Sequence, residues 1–122
     1  EGFEFFVAPP GADYYQFIVI ARGVQYDARW DKLMTLKTKG GEGRRRAWDA
    51  DFRSAVSEEE THWYAELAIP WSALGGKPTG PVGLHACRDL VPVDRAEAEP
   101  LVYTLRGLGN HAPDAYLTVE LE

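Results

Sequence analysis

The chain has 122 residues and a formal net charge of −6, with 13 Lys and Arg against 19 Asp and Glu. This acidic balance argues against a nucleic-acid partner, which needs clustered basic side chains, and the sequence contains no apolar run near the roughly 20 residues of a membrane helix. The length predicts a single domain over residues 1–122. The start at Glu1, without Met, predicts a piece of a longer chain.

Two strands are predicted in the first 30 residues. Residues 3–8 are rich in Phe and are closed by a turn with Pro9, Pro10 and Gly11. Residues 14–30 form a long strand pattern that is apolar on both faces up to Ile20. Gly23 interrupts this pattern, and a glycine within a strand predicts a bulge or a sharp bend.

Residues 31–50 show no sustained period and predict a long excursion without regular structure. Its basic run, residues 44–46, follows a glycine-rich stretch and is interpreted as a solvated loop. Residues 52–56 then predict a short strand. It is expected to form a hairpin with the following strand across the acidic turn at residues 57–60.

The clearest strand pattern is residues 63–69, where Trp63, Ala65 and Leu67 alternate with polar residues. This alternation predicts that the Trp63 side chain lies in the core. Pro70 cannot donate to a ladder, so the strand ends there, and residues 71–74 predict a short helical turn. Glycines 75 and 76 end that turn.

Three more strands are predicted at residues 81–90, 101–106 and 115–121, with a polar loop at 91–100. The single cysteine, Cys87, has no disulfide partner in the chain and is expected in the core. Short strands separated by turns predict an all-β fold, an antiparallel β-sandwich of jelly-roll or immunoglobulin-like type.

The succession of these segments resembles a known family. The segments are FEFFVAPPGADYYQFIVIARGVQYDARWD, WDADFRSAV, WYAELAIPWSAL, VGLHACRDL and NHAPDAYLTVEL. Their order and spacing are similar to those of carbohydrate-binding module family 9-like domains, which belong to the DOMON-like β-sandwich group. The resemblance covers nearly the whole chain and is most specific at residues 63–74. Arg88, His111 and Pro113 match further motif positions.

The resemblance implies a non-catalytic accessory module of an exported protein, extracellular or periplasmic, which binds a glycan and adjoins other domains. Two departures from the family pattern stand out. Family members carry further strands before the Glu4 motif, and Leu105 replaces a tryptophan that is often present. These departures favour an alternative, a structural or interaction sandwich that packs on other domains or subunits and binds no sugar.

Sugar recognition combines aromatic rings, which stack on a pyranose, with polar groups that bond its hydroxyls. Residues beside predicted turns and at strand ends are the candidates. The predicted ligand-binding residues are Tyr26, Trp30, Trp48, Trp71 and Arg88. The Arg88 guanidinium suits a carboxylate or vicinal hydroxyls, although an ion pair with a nearby aspartate is an alternative.

Two metal hypotheses follow from the resemblance. Asp27, Asp31 and Asp49 supply oxygens of the kind that Ca²⁺ binds, and the alternative is an ordinary solvated acidic surface. Some DOMON-like relatives resemble haem proteins with Met and His ligands. A remote alternative is therefore haem binding through Met34 and one of the histidines at positions 62, 85 and 111. No nucleophile-elbow, phosphate-loop or zinc-helix motif is present, so no enzyme is predicted.

Overall fold

The computed structural model describes residues 2–38, 43–45, 48–90, 101–104 and 110–122. This part of the chain consists mostly of antiparallel strands, which confirms the all-β prediction. The elements are β1 (Gly2–Ala8), β2 (Asp13–Ile20), β3 (Gln25–Asp31), α1 (Lys32–Thr38), β4 (Arg44–Arg45), β5 (Arg53–Glu58), β6 (Trp63–Ala68), β7 (Val82–Leu90), β8 (Leu101–Thr104) and β9 (Leu117–Val119).

The strands form two sheets of unequal size. A large sheet of seven strands has the order β4-β3-β2-β1-β7-β8, and β9 pairs with β7 beside β8. The hairpin sheet contains β5 and β6. All pairings are antiparallel. Strand β1 therefore lies near the middle of the large sheet, between β2 and β7.

The main core lies between the two sheets. From the large sheet it contains buried side chains that include Val7, Tyr15, Phe17, Val19 and Val82. From the hairpin sheet it receives Val56, Ala65, Leu67 and Ile69, which are partly buried. The predicted core alternation of β6 is therefore confirmed at Ala65 and Leu67, whereas Trp63 is half-buried and lines a cleft. We call this side of the large sheet its inner face.

A second cluster lies on the opposite side, the outer face of the large sheet. It contains Phe6, Ala8, Tyr14, Cys87 and Tyr116. Helix α1 covers one end of it, because the buried hydroxyl of Thr35 accepts a 3.2 Å hydrogen bond from the hydroxyl of Tyr14.

The helical turn predicted after Pro70 is confirmed as a 3-10 turn, Trp71–Leu74. Pro70 precedes it in extended conformation with φ −68°, and Gly75 ends it with φ 82°. The amide of Gly76 donates a 2.8 Å bond to the carbonyl of Trp71. Proline and glycine therefore set the two ends of this turn.

The prediction of one interrupted strand over residues 14–30 was wrong, because the chain reverses at residues 21–24. Gly23 adopts a φ of 79°, and its amide donates a 2.8 Å bond to the carbonyl of Ile20. A left-handed backbone of this kind favours a turn over a bulge. Strands β2 and β3 thus form a hairpin.

The prediction of an irregular segment over residues 31–50 was wrong for α1 and β4, and residues 39–42 and 46–47 lie outside the described residues. Asp31 caps α1, because its Oδ1 accepts a 2.8 Å hydrogen bond from the amide of Met34. Arg44 and Arg45 form β4 on the edge of β3 instead of a solvated loop. Near the C-terminus, Pro113–Ala115 is a 3-10 turn, so the last strand begins at Leu117 rather than at residue 115.

The predicted loop at 91–100, the glycines at 40 and 41, the strand end at 105–106 and the Leu105 departure lie outside the described residues. Within the part of the chain that is described, no helix has the length and apolar character needed to span a bilayer.

Candidate functional site

The outer face of the large sheet presents side chains in rows that run across neighbouring strands. One row contains Tyr26, Ile18, Glu4 and Cys87, which are register partners on β3, β2, β1 and β7. The next row contains Ala28, Gln16, Phe6 and His85. Register partners in antiparallel strands share a face. The polar residues Glu4 and Gln16 therefore lie beside aromatic residues on this side.

Gln16 links an aromatic ring to a carboxyl group. The indole Nε1 of Trp30 donates a 3.0 Å hydrogen bond to its Oε1, and its Nε2 donates a 2.9 Å bond to Oε2 of Glu4. The Gln16 side chain is 6% exposed. Because both ends of its amide have partners, its orientation is fixed, and it positions the other two side chains relative to each other.

Glu4 belongs to a group of two carboxyl side chains and one thiol on β1 and β7. Ligand atoms of Glu4, Cys87 and Asp89 all lie within 4.8 Å of one another. Burial is the largest cause that raises the pKa of Glu4 to about 7; the hydrogen bond and negative charge of Asp89 also raise it, and the hydrogen bond from Gln16 acts in the opposite direction. Burial likewise raises the pKa of the Cys87 thiol to about 12, with smaller contributions from the charges of Glu4 and Asp89. Near neutral pH, the Glu4 carboxyl group therefore carries a proton for part of the time.

Two aromatic rings border this polar group. Trp30 is half-buried, with its ring 4.3 Å from that of His111 and 6.1 Å from that of Tyr14 between centroids. Tyr26 is 40% exposed, and the guanidinium of Arg44 lies 5.2 Å from its ring centroid. The candidate site, which we call the polar outer face, consists of Glu4, Gln16, Tyr26, Trp30 and Asp89.

Comparisons of the chain with known protein families, curated proteins and solved structures found no match. The chemistry of the described residues is therefore the basis for assigning a site.

The structure brings together two of the five predicted ligand-binding residues, Tyr26 and Trp30. The proposal of Trp48 as a ligand residue is not supported, because its ring packs in the main core, 5.3 Å from Tyr15 between centroids. Trp71 begins the 3-10 turn after the hairpin sheet and is 46% exposed. Arg88 lies on the inner side of β7 and lines a cleft of about 890 Å³ next to the hairpin sheet.

The three aspartates predicted as calcium ligands do not form a group. Asp27 accepts a hydrogen bond from the amide of Ala50 at 3.0 Å, and Asp49 accepts one from the amide of Asp51 at 2.8 Å. Asp31 caps α1. None of the three belongs to the cluster of possible ligand atoms found among the described residues. Their positions fit roles in shaping the backbone better than joint coordination of a metal ion.

Sequence reasoning missed Glu4, Gln16 and Asp89. A signal was present, because Glu4 and Gln16 each interrupt an otherwise apolar strand. A polar side chain in such a strand must find a hydrogen-bond partner when it is buried. That requirement singles out Glu4 and Gln16 but does not show which strands bring them together.

Beside this site, His85 and His111 lie in an aromatic cluster. The His85 ring stacks on Tyr116 at 5.1 Å between centroids, and His111 Nδ1 is 2.8 Å from the hydroxyl of Tyr14. Among the described residues, neither buried ring nitrogen of His85 has a hydrogen-bond partner of standard geometry, and the Asn110 side chain offsets part of the effect of burial on the His85 pKa. Burial lowers the pKa of both histidines. Neutral rings are therefore favoured at these positions.

Proposed function

We propose that the protein is a non-catalytic carbohydrate-binding module that holds a saccharide against the polar outer face. The observation that carries this proposal is the hydrogen-bonded series from Trp30 through Gln16 to Glu4, beside the exposed ring of Tyr26. It combines aromatic surface with oriented polar groups on one rigid sheet. A saccharide needs both kinds of contact.

Each part of this face has a defined role in the proposal. The ring of Tyr26 offers a flat apolar surface for a pyranose. The carboxyl oxygens of Glu4 and Asp89 accept hydrogen bonds from sugar hydroxyls. Gln16 holds Glu4 in place, which lowers the entropic cost of ordering the site on binding.

The arrangement of the carboxyl groups favours binding over hydrolysis. Glycosidases place two carboxyl groups on either side of the scissile bond, roughly 5 to 10 Å apart. Glu4 and Asp89 instead lie on neighbouring strands and interact through a hydrogen bond, which leaves no room for a scissile bond between them. We therefore propose an accessory module of an exported protein, extracellular or periplasmic, which brings neighbouring domains to a glycan. The family resemblance of residues 63–74 supports this part of the proposal.

A second candidate function is a structural or interaction domain without sugar binding. One observation favours it: the core-facing side chains of the hairpin sheet are only partly buried. The haem alternative has less support, because His85 and His111 have aromatic rings against them and Met34 is exposed on α1. A purified protein with no Soret absorption would eliminate the haem alternative.

Calorimetric titration with a panel of glucose, xylose and mannose oligosaccharides tests the primary proposal. We expect binding that Tyr26→Ala weakens at least tenfold. Trp71→Ala serves as the matched control, because Trp71 is an exposed aromatic residue on the other layer, and it should leave the affinity unchanged. Loss of binding in Trp71→Ala alone would place the site elsewhere, and failure of every saccharide to bind would favour the second candidate.

A further inference from the structure

Strand β6 has a free edge on the side of the cleft. Among the described residues it pairs with β5 only. Gln25 places β5 above the β3 side of the large sheet, because its Nε2 donates to the carbonyl of Phe52 at 3.1 Å and its Oε1 accepts from the hydroxyl of Ser54 at 2.8 Å. The free edge of β6 therefore faces the region above β1 and β7.

The inner face of the hairpin sheet is only partly covered by the large sheet. Trp63, Ala65 and Leu67 point toward the core but are only partly buried, whereas Phe17 and Val19 on the large sheet are 0% exposed. A sheet is stable when its apolar face is covered by a second layer. In the part of the chain that the structure describes, apolar surface on β6 is thus left partly uncovered.

A cleft of about 890 Å³ lies at the turn end of the hairpin sheet and is lined by residues 55–66, which include parts of both β5 and β6. Its floor and walls include Phe3 from β1, Trp63 from β6 and Arg88 from β7. Exposed glutamates surround it, at positions 58, 59, 60 and 66. Four carboxylates and one guanidinium make the cleft strongly acidic, so it attracts a positively charged partner.

We propose that the free edge of β6 takes, as an added strand, an extended segment of another polypeptide that carries Lys or Arg. Backbone amides and carbonyls of the segment pair with those of β6, as they do when a peptide extends a sheet. Alternate side chains then point to opposite faces. The apolar side chains of the segment cover Trp63 and Phe3, and its basic side chains contact the glutamates. This inference goes beyond carbohydrate binding and uses the opposite side of the large sheet.

Charge also selects between possible occupants. A second copy of this chain carries the same net charge of −6 and the same acidic cleft. Pairing two β6 edges would bring both sets of glutamates close together, which is unfavourable. A basic partner meets no such repulsion. Its binding should weaken as salt is raised, because the glutamates are exposed.

A pair of synthetic peptides tests the proposal on the full chain. Each has about eight residues, the length of an ordinary strand, and alternates Val with either Lys or Glu. We expect the Val-Lys peptide to bind in calorimetry at least tenfold more tightly than the Val-Glu peptide. It should also slow hydrogen exchange of the β6 amides. Equal binding of the two peptides, or no binding of either, would overturn the proposal.

Variants that reverse the charge of the cleft provide a second test of the proposal. The double variant Glu58→Lys with Glu60→Lys should reverse the peptide preference. The matched control is Glu120→Lys with Glu122→Lys, which makes the same change in charge at exposed positions that do not line the cleft. This control should keep the preference for the Val-Lys peptide. Circular dichroism confirms that each variant is folded. A concentration-dependent dimer that protects the β6 amides would overturn the proposal in favour of a second copy. Saccharide titration of the same samples tests the polar outer face separately.

Discussion

The indole Nε1 of Trp30 and the amide Oε1 of Gln16 are joined by a 3.0 Å hydrogen bond. Through the other end of the same amide, Trp30 is coupled to the carboxyl group of Glu4. The Trp30 ring and the Glu4 carboxyl group lie on different strands, and Gln16 therefore fixes their positions relative to each other. This coupling makes the outer face a more specific arrangement than scattered aromatic and acidic residues.

The variant Gln16→Ala tests this coupling. It leaves the Trp30 indole and the Glu4 carboxyl group without their partner in a largely buried place, so we expect a loss of about 2 kcal/mol in the free energy of unfolding. Urea denaturation measures this loss. The control Gln25→Ala removes an exposed glutamine that also makes two hydrogen bonds, and it should cost at most about 1 kcal/mol. Equal losses in the free energy of unfolding would show that the hydrogen bonds of Gln16 stabilise the fold no more than those of Gln25.

The pH dependence of stability should reveal Glu4. Its pKa rises from an ordinary value of 4.5 to about 7 on folding, so the folded state binds the proton more tightly than the unfolded state. The stabilisation is fully present below pH 4.5 and is lost as the pH rises through about 7. The variant Glu4→Gln removes this pH-dependent stabilisation. Relative to the native chain, the free energy of unfolding of the variant should rise by about 1 to 2 kcal/mol between pH 4.5 and 8. This value is reduced to allow for the partial exposure of Glu4.

Denaturant unfolding of both proteins at several pH values measures that difference. A constant difference between Glu4→Gln and the native chain would contradict the assigned environment of Glu4. The variant Glu120→Gln provides the control, because Glu120 is exposed and its replacement should give a pH profile parallel to that of the native chain.

His85 should make the fold less stable at acidic pH, whereas Glu4 makes it more stable there. Burial lowers its pKa below the ordinary value of 6.5, so the unfolded state binds a proton more readily, and stability is lost as the pH falls through 6.5 and below. His85→Leu removes this loss together with two unpaired ring nitrogens. We expect its stability at pH 7 to be equal to or greater than that of the native chain, with a flatter profile below pH 6.5. Thermal unfolding at pH 5 and 7 checks both expectations.

The exposed His62 is the control for that variant. His62→Leu should change stability by less than about 0.5 kcal/mol at pH 7. A loss of more than about 2 kcal/mol in His85→Leu at neutral pH would show that the ring nitrogens have partners that stabilise the fold.

Trp48 and Trp71 should differ in their contributions to stability. Trp48 packs against Tyr15 and Phe17 in the main core, so Trp48→Ala should lower the free energy of unfolding by about 3 kcal/mol. Trp71 is half-exposed, and Trp71→Ala should cost less than about 1 kcal/mol. Chemical denaturation gives both values. A larger loss for Trp71 would contradict the described packing.

Local patterns in the sequence were enough to predict several elements. The alternation in β6 and the Pro70 and Gly75 boundaries are local signals, and the structure follows them. Helix α1 gave no such signal, because its apolar residues Leu33 and Leu36 are exposed and the residue that it buries is Thr35. Its pattern is the reverse of an ordinary amphipathic helix.

The polar outer face could be predicted only in part. Tyr26 and Trp30 lie on one strand, so their alternation places them on one face. Glu4, Gln16 and Asp89 join them because β1 lies between β2 and β7, an order that depends on long-range pairing. The contact between Trp48 and Tyr15 likewise depends on long-range packing, which the local pattern around residue 48 does not show.

The central claim, that a saccharide binds the polar outer face, is tested most directly by nuclear magnetic resonance of the four tryptophan indole groups during titration with glucose, xylose and mannose oligosaccharides. We predict that the indole Nε1–H signal of Trp30 and the backbone amide of Tyr26 shift with saturation, while the indole signals of Trp48 and Trp71 stay in place. A shift of the Trp71 signal alone, or no shift with any saccharide, would contradict the claim.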